Sequence, residues 1–259
     1  MSHPTKPTDV GMNRTGTAVS PLDSKESIDG AIEGTVRPET SATALEEVRL
    51  EYSRAAAPVG TMPPPASPKG AVKAIVTAVK GKHATVFLDL IGERLAFERT
   101  GARLYDAVLV KLDAGAPRDR GPDRDDLESI RDDEIRHFGL LRDALISLGA
   151  DPTAVTPSAD IAGVASMGLL QVVTDPRTTL TEALKTMLIA ELADNDSWLI
   201  LCDMAERLGE TDLAASFREA LDQEERHLAR LRAWVSADLD AQAGLEPRPF
   251  ETVGVPAPG

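Results

Sequence analysis

Two tetrapeptides of the form Glu-x-x-His constrain this chain most, because each lies inside a long segment with the apolar spacing of an amphipathic helix. They begin at Glu134 and Glu224 and end at His137 and His227. On a helix, residues three positions apart share a face, so each tetrapeptide directs one carboxylate and one imidazole toward a common point. The chain has four histidines, and two of them complete this pattern. The repetition therefore predicts paired metal-ligand positions.

The composition favours packed helices. Hydrophobic residues make up 42% of the 259 residues but aromatic residues only 3%, so the core is expected to be aliphatic. Leu and Ala dominate the central region, a composition that favours helices over sheets. A chain of this length can bury a sizeable core. We therefore expect an all-α fold.

Four long helices, here called A to D, follow from the apolar periodicity. Asp123 suits the N-terminus of helix B, and Thr179 and Glu182 have the spacing of a capping box at the start of helix C. Gly149 and Gly209 are expected to end helices B and C. The predicted spans are about 83–113 for A, 123–148 for B, 179–208 for C and 211–239 for D.

The connections between these helices predict how they are arranged. Helices A and B are joined briefly, as are C and D, and short connections imply antiparallel neighbours. About 30 residues separate B from C. Asp151-Pro152 and Thr156-Pro157 mark irregular chain there, before a weakly helical stretch from Ile161 to Val173. The pattern predicts a four-helix bundle with one long crossover between B and C.

The two ends of the chain differ from the centre. Residues 1–70 hold nine of the 18 prolines and are rich in Ser and Thr, so they are expected to form a largely disordered arm. A short helical stretch near Ala42 to Ala57 is the exception. The bundle is assigned to residues 71–240, with a short helical piece near Ala71 to Val79, and residues 241–259 form a flexible C-terminal tail.

Charge and hydropathy exclude several classes of partner. The net charge of −14 makes the chain a poor partner for phosphate backbones, so nucleic acid is not expected. There is no apolar run of about 18 residues and no export signal, so no membrane association is expected and the location is predicted to be cytoplasmic. Cys202 is the single cysteine, which agrees with a reducing compartment, and it is expected to be a core thiol.

Helices A and C each carry an acid near the middle of their apolar stripe. Glu98 has Ile91 seven residues before it and Tyr105 seven residues after it. Seven residues are close to two helical turns, so Glu98 lies on the inward stripe, and Glu191 has the same spacing on helix C. Ionised carboxylates inside a bundle need protons or cations to neutralise them. Two divalent metal ions would supply that charge.

The predicted ligands are four carboxylates and two imidazoles, enough for one imidazole per metal. Oxygen with a single imidazole suits iron or manganese, whereas structural zinc more often recruits thiolates. The set is Glu98, Glu134, His137, Glu191, Glu224 and His227.

Four further residues are candidates for a layer behind the ligands: Asp133, Asp194, Asn195 and Tyr105. Asp133 precedes Glu134 and is suited to accept the ring N–H of a ligand histidine. The equivalent position on helix D is Gln223, so the arrangement is expected to be asymmetric. Tyr105 is about 10 Å along the helix from Glu98, which favours a core-packing role.

The order Glu, Glu-x-x-His, crossover, Glu, Glu-x-x-His resembles the ferritin-like di-metal carboxylate proteins. The resemblance covers about residues 83–240. It implies a ferritin-like bundle in which Glu134 and Glu224 bridge two metals, while Glu98 and Glu191 are terminal or chelating ligands. Iron is the first expectation for the metal and manganese the second.

The resulting functional hypothesis is a di-iron oxidoreductase of ferroxidase or peroxidase type, with dioxygen or peroxide and ferrous iron as partners. Three alternatives stay open: an enzyme similar to manganese catalase, an iron storage or detoxification protein, and a non-catalytic helical stress or interaction protein. A rubrerythrin is disfavoured because the chain has no Cys-x-x-Cys pairs. A low-order homo-oligomer is expected rather than a closed cage.

Overall fold

The computed structural model describes residues 21–35, 42–70, 84–115 and 120–246, and all regular secondary structure in these ranges is α-helical. The all-α prediction is therefore confirmed for the described residues. The chain divides into two compact units, Met1–Ala57 and Pro58–Gly259. The predicted helical piece at residues 71–79 and the tail beyond residue 246 lie outside the described residues.

The first unit contains α1 (Pro21–Thr35) and α2 (Ala42–Ala55), whose described side chains are mostly exposed. Helix α2 coincides with the predicted stretch near residues 42–57. Helix α1 lies where irregular chain was expected. Helix α1 can form because residues 22–37 contain no proline. Pro21 itself lies in the first helical turn, where proline is tolerated.

Five helices of the second unit lie wholly within the described residues: α3 (Ala84–Ala114), α4 (Arg124–Leu148), α5 (Pro157–Thr174), α6 (Leu180–Leu208) and α7 (Thr211–Gln242). Residues 68–70 are also helical. Predicted helices A, B, C and D correspond to α3, α4, α6 and α7. The largest difference is at the end of helix D, where α7 extends three residues beyond the predicted Leu239. No helix among the described residues is both long and apolar enough to cross a membrane.

Local signals fix the ends of α4 and α6. Asp123 and Asp126 form a capping box, with Asp126 N donating to Asp123 Oδ1 at 2.7 Å and Asp123 N donating to Asp126 Oδ2 at 3.1 Å. Thr179 and Glu182 form the predicted box at the start of α6. Gly149 and Gly209 follow α4 and α6 with φ of 81°, a left-handed conformation that favours glycine.

Helix α5 begins where irregular chain was predicted, so the prediction at Thr156-Pro157 was wrong. Thr156 is the N-cap, and its Oγ1 accepts a hydrogen bond from Ala159 N at 3.3 Å. Pro157 occupies the first helical turn, where a backbone N–H has no partner within the helix and its loss costs nothing. The Thr-Pro pair therefore starts a helix instead of interrupting one.

Helix α5 runs beside α3, between the levels of Asp89 and Lys111. Near its start, Ser158 N and Oγ donate to the Asp89 carboxylate at 2.9 and 2.7 Å. Just after its end, Lys111 Nζ donates to the backbone oxygens of Asp175 and Thr178 at 2.7 and 2.9 Å. Because Asp89 and Lys111 lie near opposite ends of α3, the two helices run in the same direction.

Two apolar layers form the core, and the four long helices contribute to both. The Phe217 layer consists of Phe87, Ile91, Leu95, Leu141, Ala144, Leu145, Leu148, Trp198, Leu201, Cys202, Ala205, Ala214, Phe217, Ala220 and Leu221. The Leu184 layer consists of Leu104, Tyr105, Val108, Leu109, Leu127, Ile130, Val173, Leu180, Ala183, Leu184, Met187, Ala190, Leu231 and Val235.

The order of these layers along each helix gives the helix directions. Followed from the N-terminus to the C-terminus, helices α3 and α7 pass through the Phe217 layer first. Helices α4 and α6 pass through the Leu184 layer first. Helices α3 and α7 therefore run one way, and α4 and α6 run the other. A crossover of this length is needed because α4 ends at the opposite end of the bundle from the start of α6.

Candidate metal centre

A layer of polar side chains lies between the two apolar layers. Glu98 comes from α3, Glu191 from α6, and one Glu-x-x-His tetrapeptide from each of α4 and α7. Each of these six side chains is at most 2% exposed. Burying several carboxylates in an apolar interior is strongly unfavourable unless their charge is neutralised. The six residues predicted as ligands are thus brought into one buried region.

Their donor atoms form overlapping groups in which all atoms lie within 4.8 Å of one another. One group, here called the His227 position, contains Glu134, Glu191, Glu224 and His227. A second, the His137 position, contains Glu98, His137 and Glu224. A third contains Glu98, Glu134, Asp194 and Glu224. Glu224 belongs to all three groups, whereas Glu98 and Glu134 each belong to two. Glu224 is therefore the carboxylate that the His227 and His137 positions share, and it is placed between two neighbouring cations.

A hydrogen-bond network between α4 and α7 fixes the orientation of both imidazoles. Asp133 Oδ2 lies 3.2 Å from His227 Nε2, and Asp133 Oδ1 accepts from Gln223 Nε2 at 3.2 Å. An ionised carboxylate only accepts, so both groups donate to it. The amide oxygen of Gln223 then faces His137 Nε2 at 2.8 Å and accepts its proton. Each neutral ring is therefore protonated at Nε2 and carries its lone pair at Nδ1.

Both Nδ1 atoms point into the carboxylate layer. His137 Nδ1 lies 2.7 Å from Glu224 Oε1 and 3.6 Å from Glu98 Oε2. His227 Nδ1 lies 3.2 Å from Glu224 Oε2 and 3.9 Å from Glu191 Oε2. Lone pairs that face one another at these distances repel unless a proton or a metal cation lies between them. The arrangement suits a cation next to each ring.

Several donor atoms in this layer have no hydrogen-bond partner among the described residues. Native proteins satisfy nearly all buried polar atoms, because an unsatisfied one costs about 1–3 kcal/mol. A cluster of such lone-pair atoms is an environment that a bound cation would satisfy. The atoms are Glu98 Oε2, Glu134 Oε2, His137 Nδ1, Glu191 Oε2 and Glu224 Oε1.

In the absence of a metal, protons fill the same role. Burial raises the pKa of the Glu134 and Glu191 carboxyls well above the ordinary value, and the nearby charge of Glu224 raises both further. Burial acts to lower the pKa of His137 and His227. The neighbouring carboxylates outweigh this effect of burial. Hydrogen bonds to Glu224 and Glu98 raise the pKa of His137 to about 11. Hydrogen bonds to Asp133 and Glu224 raise the pKa of His227 to about 9. The charge of the layer thus demands cations of some kind.

Glu98 and Glu191 are each held by an aromatic side chain. Trp198 Nε1 donates to Glu98 Oε1 at 2.9 Å, and the Tyr105 hydroxyl donates to Glu191 Oε1. Each bond leaves the Oε2 atom free to face the layer. Tyr105 was predicted to pack in the core because of its distance from Glu98 on the same helix. Its hydrogen bond to Glu191 was not predicted, because Glu191 lies on a different helix.

Arg94 is a buried residue of this layer that was not predicted from the sequence. It is 2% exposed, it forms an ion pair with Asp194, and its guanidinium lies 4.2 Å from the centre of the Phe97 ring. Because the pair neutralises the charge of Asp194, that carboxylate is less available to a metal than the four glutamates. The available signal was the spacing of Arg94, one helical turn before Glu98 on the same stripe.

Gly101 is also part of the site, because a Cβ at this position would overlap the carboxylate of Glu134. The missing side chain leaves the space that Glu134 occupies. Asn195 is half-buried, and its Nδ2 has no hydrogen-bond partner among the described residues. Cys202 is buried in the Phe217 layer, as expected for a core thiol.

The capacity of this layer to bind metal follows from its own geometry. Comparison of the chain with protein-family models, with curated proteins and with solved structures finds no match. What the described residues contain is a helical bundle with a buried cluster of glutamates and histidines that could hold a metal ion.

Proposed function

We propose that this cluster binds two divalent metal ions and that the protein is a ferritin-like di-metal oxidoreductase that reacts with dioxygen or peroxide. The observation that carries the proposal is the convergence of unpartnered lone-pair atoms from α3, α4, α6 and α7 on one buried layer. These atoms are acceptors with no donor, which is the condition that a metal cation relieves.

The charge of the layer fits two divalent ions. Arg94 neutralises Asp194, which leaves the four carboxylates of Glu98, Glu134, Glu191 and Glu224. Two divalent cations balance four carboxylates. A single divalent ion would leave two carboxylates to be neutralised by protons instead.

The chemistry of the donors favours iron, with manganese as the alternative metal. Each position offers carboxylate oxygens and one imidazole nitrogen, a set that suits both metals. Cys202 belongs to the Phe217 layer and contributes to none of the donor groups, so no thiolate is on hand for a zinc site of the structural type.

The chain's own residues divide the work of the site. Glu224 would be shared by the two ions, because it belongs to both positions. Glu134 and Glu191 would hold the ion at the His227 position and Glu98 the ion at the His137 position, and each of these three carboxylates has an Oε2 without a hydrogen-bond partner among the described residues. Asp133 and Gln223 orient the imidazoles, and Tyr105 holds a proton against Glu191 Oε1. The Phe217 and Leu184 layers exclude bulk water from both sides. When bound, two adjacent redox-active ions would supply two electrons together to the oxidant, and ferrous iron would be the substrate in a ferroxidase.

Metal analysis and ferrous oxidation test this proposal together. We expect close to two equivalents of iron or manganese in protein purified without added metal, and elemental analysis distinguishes these two. After anaerobic loading with ferrous iron, oxidation on mixing with dioxygen or peroxide should be faster than that of iron alone. Glu134→Ala and His227→Ala should abolish the acceleration.

The chain offers a matched control for these variants. Glu225 is exposed and adjacent to Glu224, so Glu225→Ala changes the same chemical group without entering the layer. It should keep both the metal content and the oxidation rate. An absence of stoichiometric metal, or oxidation no faster than in protein-free buffer, would overturn the proposal.

A further inference from the structure

The two ligand histidines occupy matching places in their tetrapeptides but are held by chemically different partners. Asp133 and Gln223 each stand one residue before the glutamate of a tetrapeptide. Asp133 holds His227 of the other helix, and Gln223 holds His137. A carboxylate partner makes a ligand imidazole a stronger donor than a neutral amide does, because its charge stabilises positive charge on the ring. His227 is thus the stronger nitrogen ligand.

The carboxylates are divided unequally in the same direction. The His227 position gathers three glutamates, whereas the His137 position gathers two, one of which is the shared Glu224. An additional negative charge at ligand distance strengthens the attraction for a divalent cation. The number of carboxylates therefore also favours the His227 position.

The positive charge of Arg94 lies on the other side. Arg94 Nε is 4.0 Å from Glu98 Oε1, the oxygen that also accepts the indole N–H of Trp198. Both neighbours stabilise the negative charge of Glu98 without a metal, whereas Glu191 has the Tyr105 hydroxyl alone as a donor among the described residues. Glu98 therefore gains less from a bound cation than Glu191 does. Glu98 belongs to the His137 position and not to the His227 position. Three independent features thus weaken the same position.

We infer that the two metal positions are inequivalent: the His227 position retains its ion, and the His137 position exchanges its ion. This inference rests on the proposed two-metal centre. It assigns the entry and release of divalent metal to the position formed by Glu98, His137 and Glu224. The difference in affinity is set mainly by Asp133 and Gln223, since these two residues hold matching places on their helices and differ in charge. Asp133 also forms an ion pair with Arg136, whose side chain is 61% exposed, so solvent screens that pair.

Calorimetric titration of the metal-free full-length chain with Mn²⁺ tests this without any measurement of activity. We expect two binding steps that differ by about 10–100-fold in affinity, the size of the effect of a partner behind a metal ligand. His137→Ala should remove the weaker step, and His227→Ala should remove the tighter one.

Exchange of the two partner residues gives the sharper test. Asp133→Asn should weaken the tighter step by about 10–100-fold and leave the weaker step in place. The double variant Asp133→Asn/Gln223→Glu moves the carboxylate to His137 at constant net charge, so the two steps should draw together or reverse. Circular dichroism and a folding transition check that each variant is folded, and Glu225→Gln is the control with both steps unchanged.

The outcomes separate this inference from the proposed function. Two ions bound with equal affinity in the wild-type protein would overturn the inference and leave the two-metal centre standing. The same conclusion follows if Asp133→Asn and the double variant change the affinities of both binding steps equally. If the wild-type protein binds no stoichiometric Mn²⁺ and no Fe²⁺, the proposed centre and the inference fail together.

Discussion

The polar layer and the two apolar layers are built by the same four helices, yet they need different things to be stable. The Phe217 and Leu184 layers are complete in themselves, because apolar side chains need only each other. The polar layer leaves lone pairs unsatisfied, and Arg94 is the only buried Lys or Arg among the described residues. The apolar layers therefore stabilise the bundle by themselves, whereas the polar layer needs protons or metal cations to neutralise its carboxylates.

At a fixed neutral pH, removal of metal should have the largest effect, because two bound ions would stabilise the native state together. At a free metal concentration of about 100 times Kd, each independent site stabilises the native state by about 2.7 kcal/mol, so two sites contribute about 5 kcal/mol. Denaturant unfolding with metal and with a chelator measures the difference. An unfolding free energy that is the same in both conditions would show that the polar layer does not need the ions.

Breaking the buried ion pair in the polar layer should come next. Arg94→Met leaves Asp194 as an uncompensated buried charge, which should lower the free energy of unfolding by about 3–5 kcal/mol. Adding Asp194→Asn removes that charge and should restore part of the loss. The exposed Arg99→Met on the same helix is the control, with a change within about 0.5 kcal/mol. If Arg94→Met and Arg99→Met lowered the free energy of unfolding equally, the role given to the Arg94–Asp194 pair would be contradicted.

A cavity in the Leu184 layer should destabilise the protein independently of metal. Leu184→Ala removes a fully buried side chain and should cost about 2–5 kcal/mol. The loss should be equal with metal and with chelator, because the apolar layer needs no ion. Leu192→Ala, at a 42% exposed position of the same helix, should cost much less. A loss that appears only in the chelated protein would show that the two layers are coupled.

The pH dependence should distinguish the metal-free polar layer from the filled one. The pKa of His227 is raised from 6.5 to about 9 and that of His137 to about 11 in the metal-free protein. Their contribution is complete below pH 6.5 and is lost as the pH rises through these folded-state values. Stability of the metal-free protein should therefore fall between pH 6.5 and 9, by about 1.4 kcal/mol per pH unit for each histidine.

Urea unfolding across this pH range measures that slope. In metal-loaded protein the two rings are neutral ligands, so they release no proton on unfolding above pH 6.5 and the slope should disappear. A metal-free protein whose stability is flat from pH 6.5 to 9 would contradict the orientation given to the two rings.

The smallest effect is expected at a helix end outside both kinds of layer. Thr179→Ala removes the capping side chain of α6 and should cost about 1 kcal/mol. Metal affinity should stay at the wild-type value, because the cap is separated from Glu191 by three turns of helix. Calorimetric titration and denaturant unfolding of the same sample measure both quantities. A weakened metal site in this variant would show that the polar layer is less rigidly held than the helix packing indicates.

The helix spans and the inward position of the six ligand residues were predictable, because both depend on spacing along one chain. Periodicity placed Glu98 and Glu191 on apolar stripes, and the capping residues at Asp123 and Thr179 fixed two helix starts. The start of α5 was missed because Thr156-Pro157 is compatible with both a helix start and irregular chain. Only the packing of that segment against α3 distinguishes the two.

By itself, the sequence determined which residues share a helix face, since 3.6 residues per turn is a local property of the backbone. The tertiary structure alone decided which faces meet. Tyr105 on Glu191, Arg94 on Asp194 and Gln223 on His137 are each separated by 86 or 100 residues along the chain. Such pairs depend on the rotation and axial shift of one helix against another. These are set by the packing of the whole core, and no spacing within a single helix encodes them.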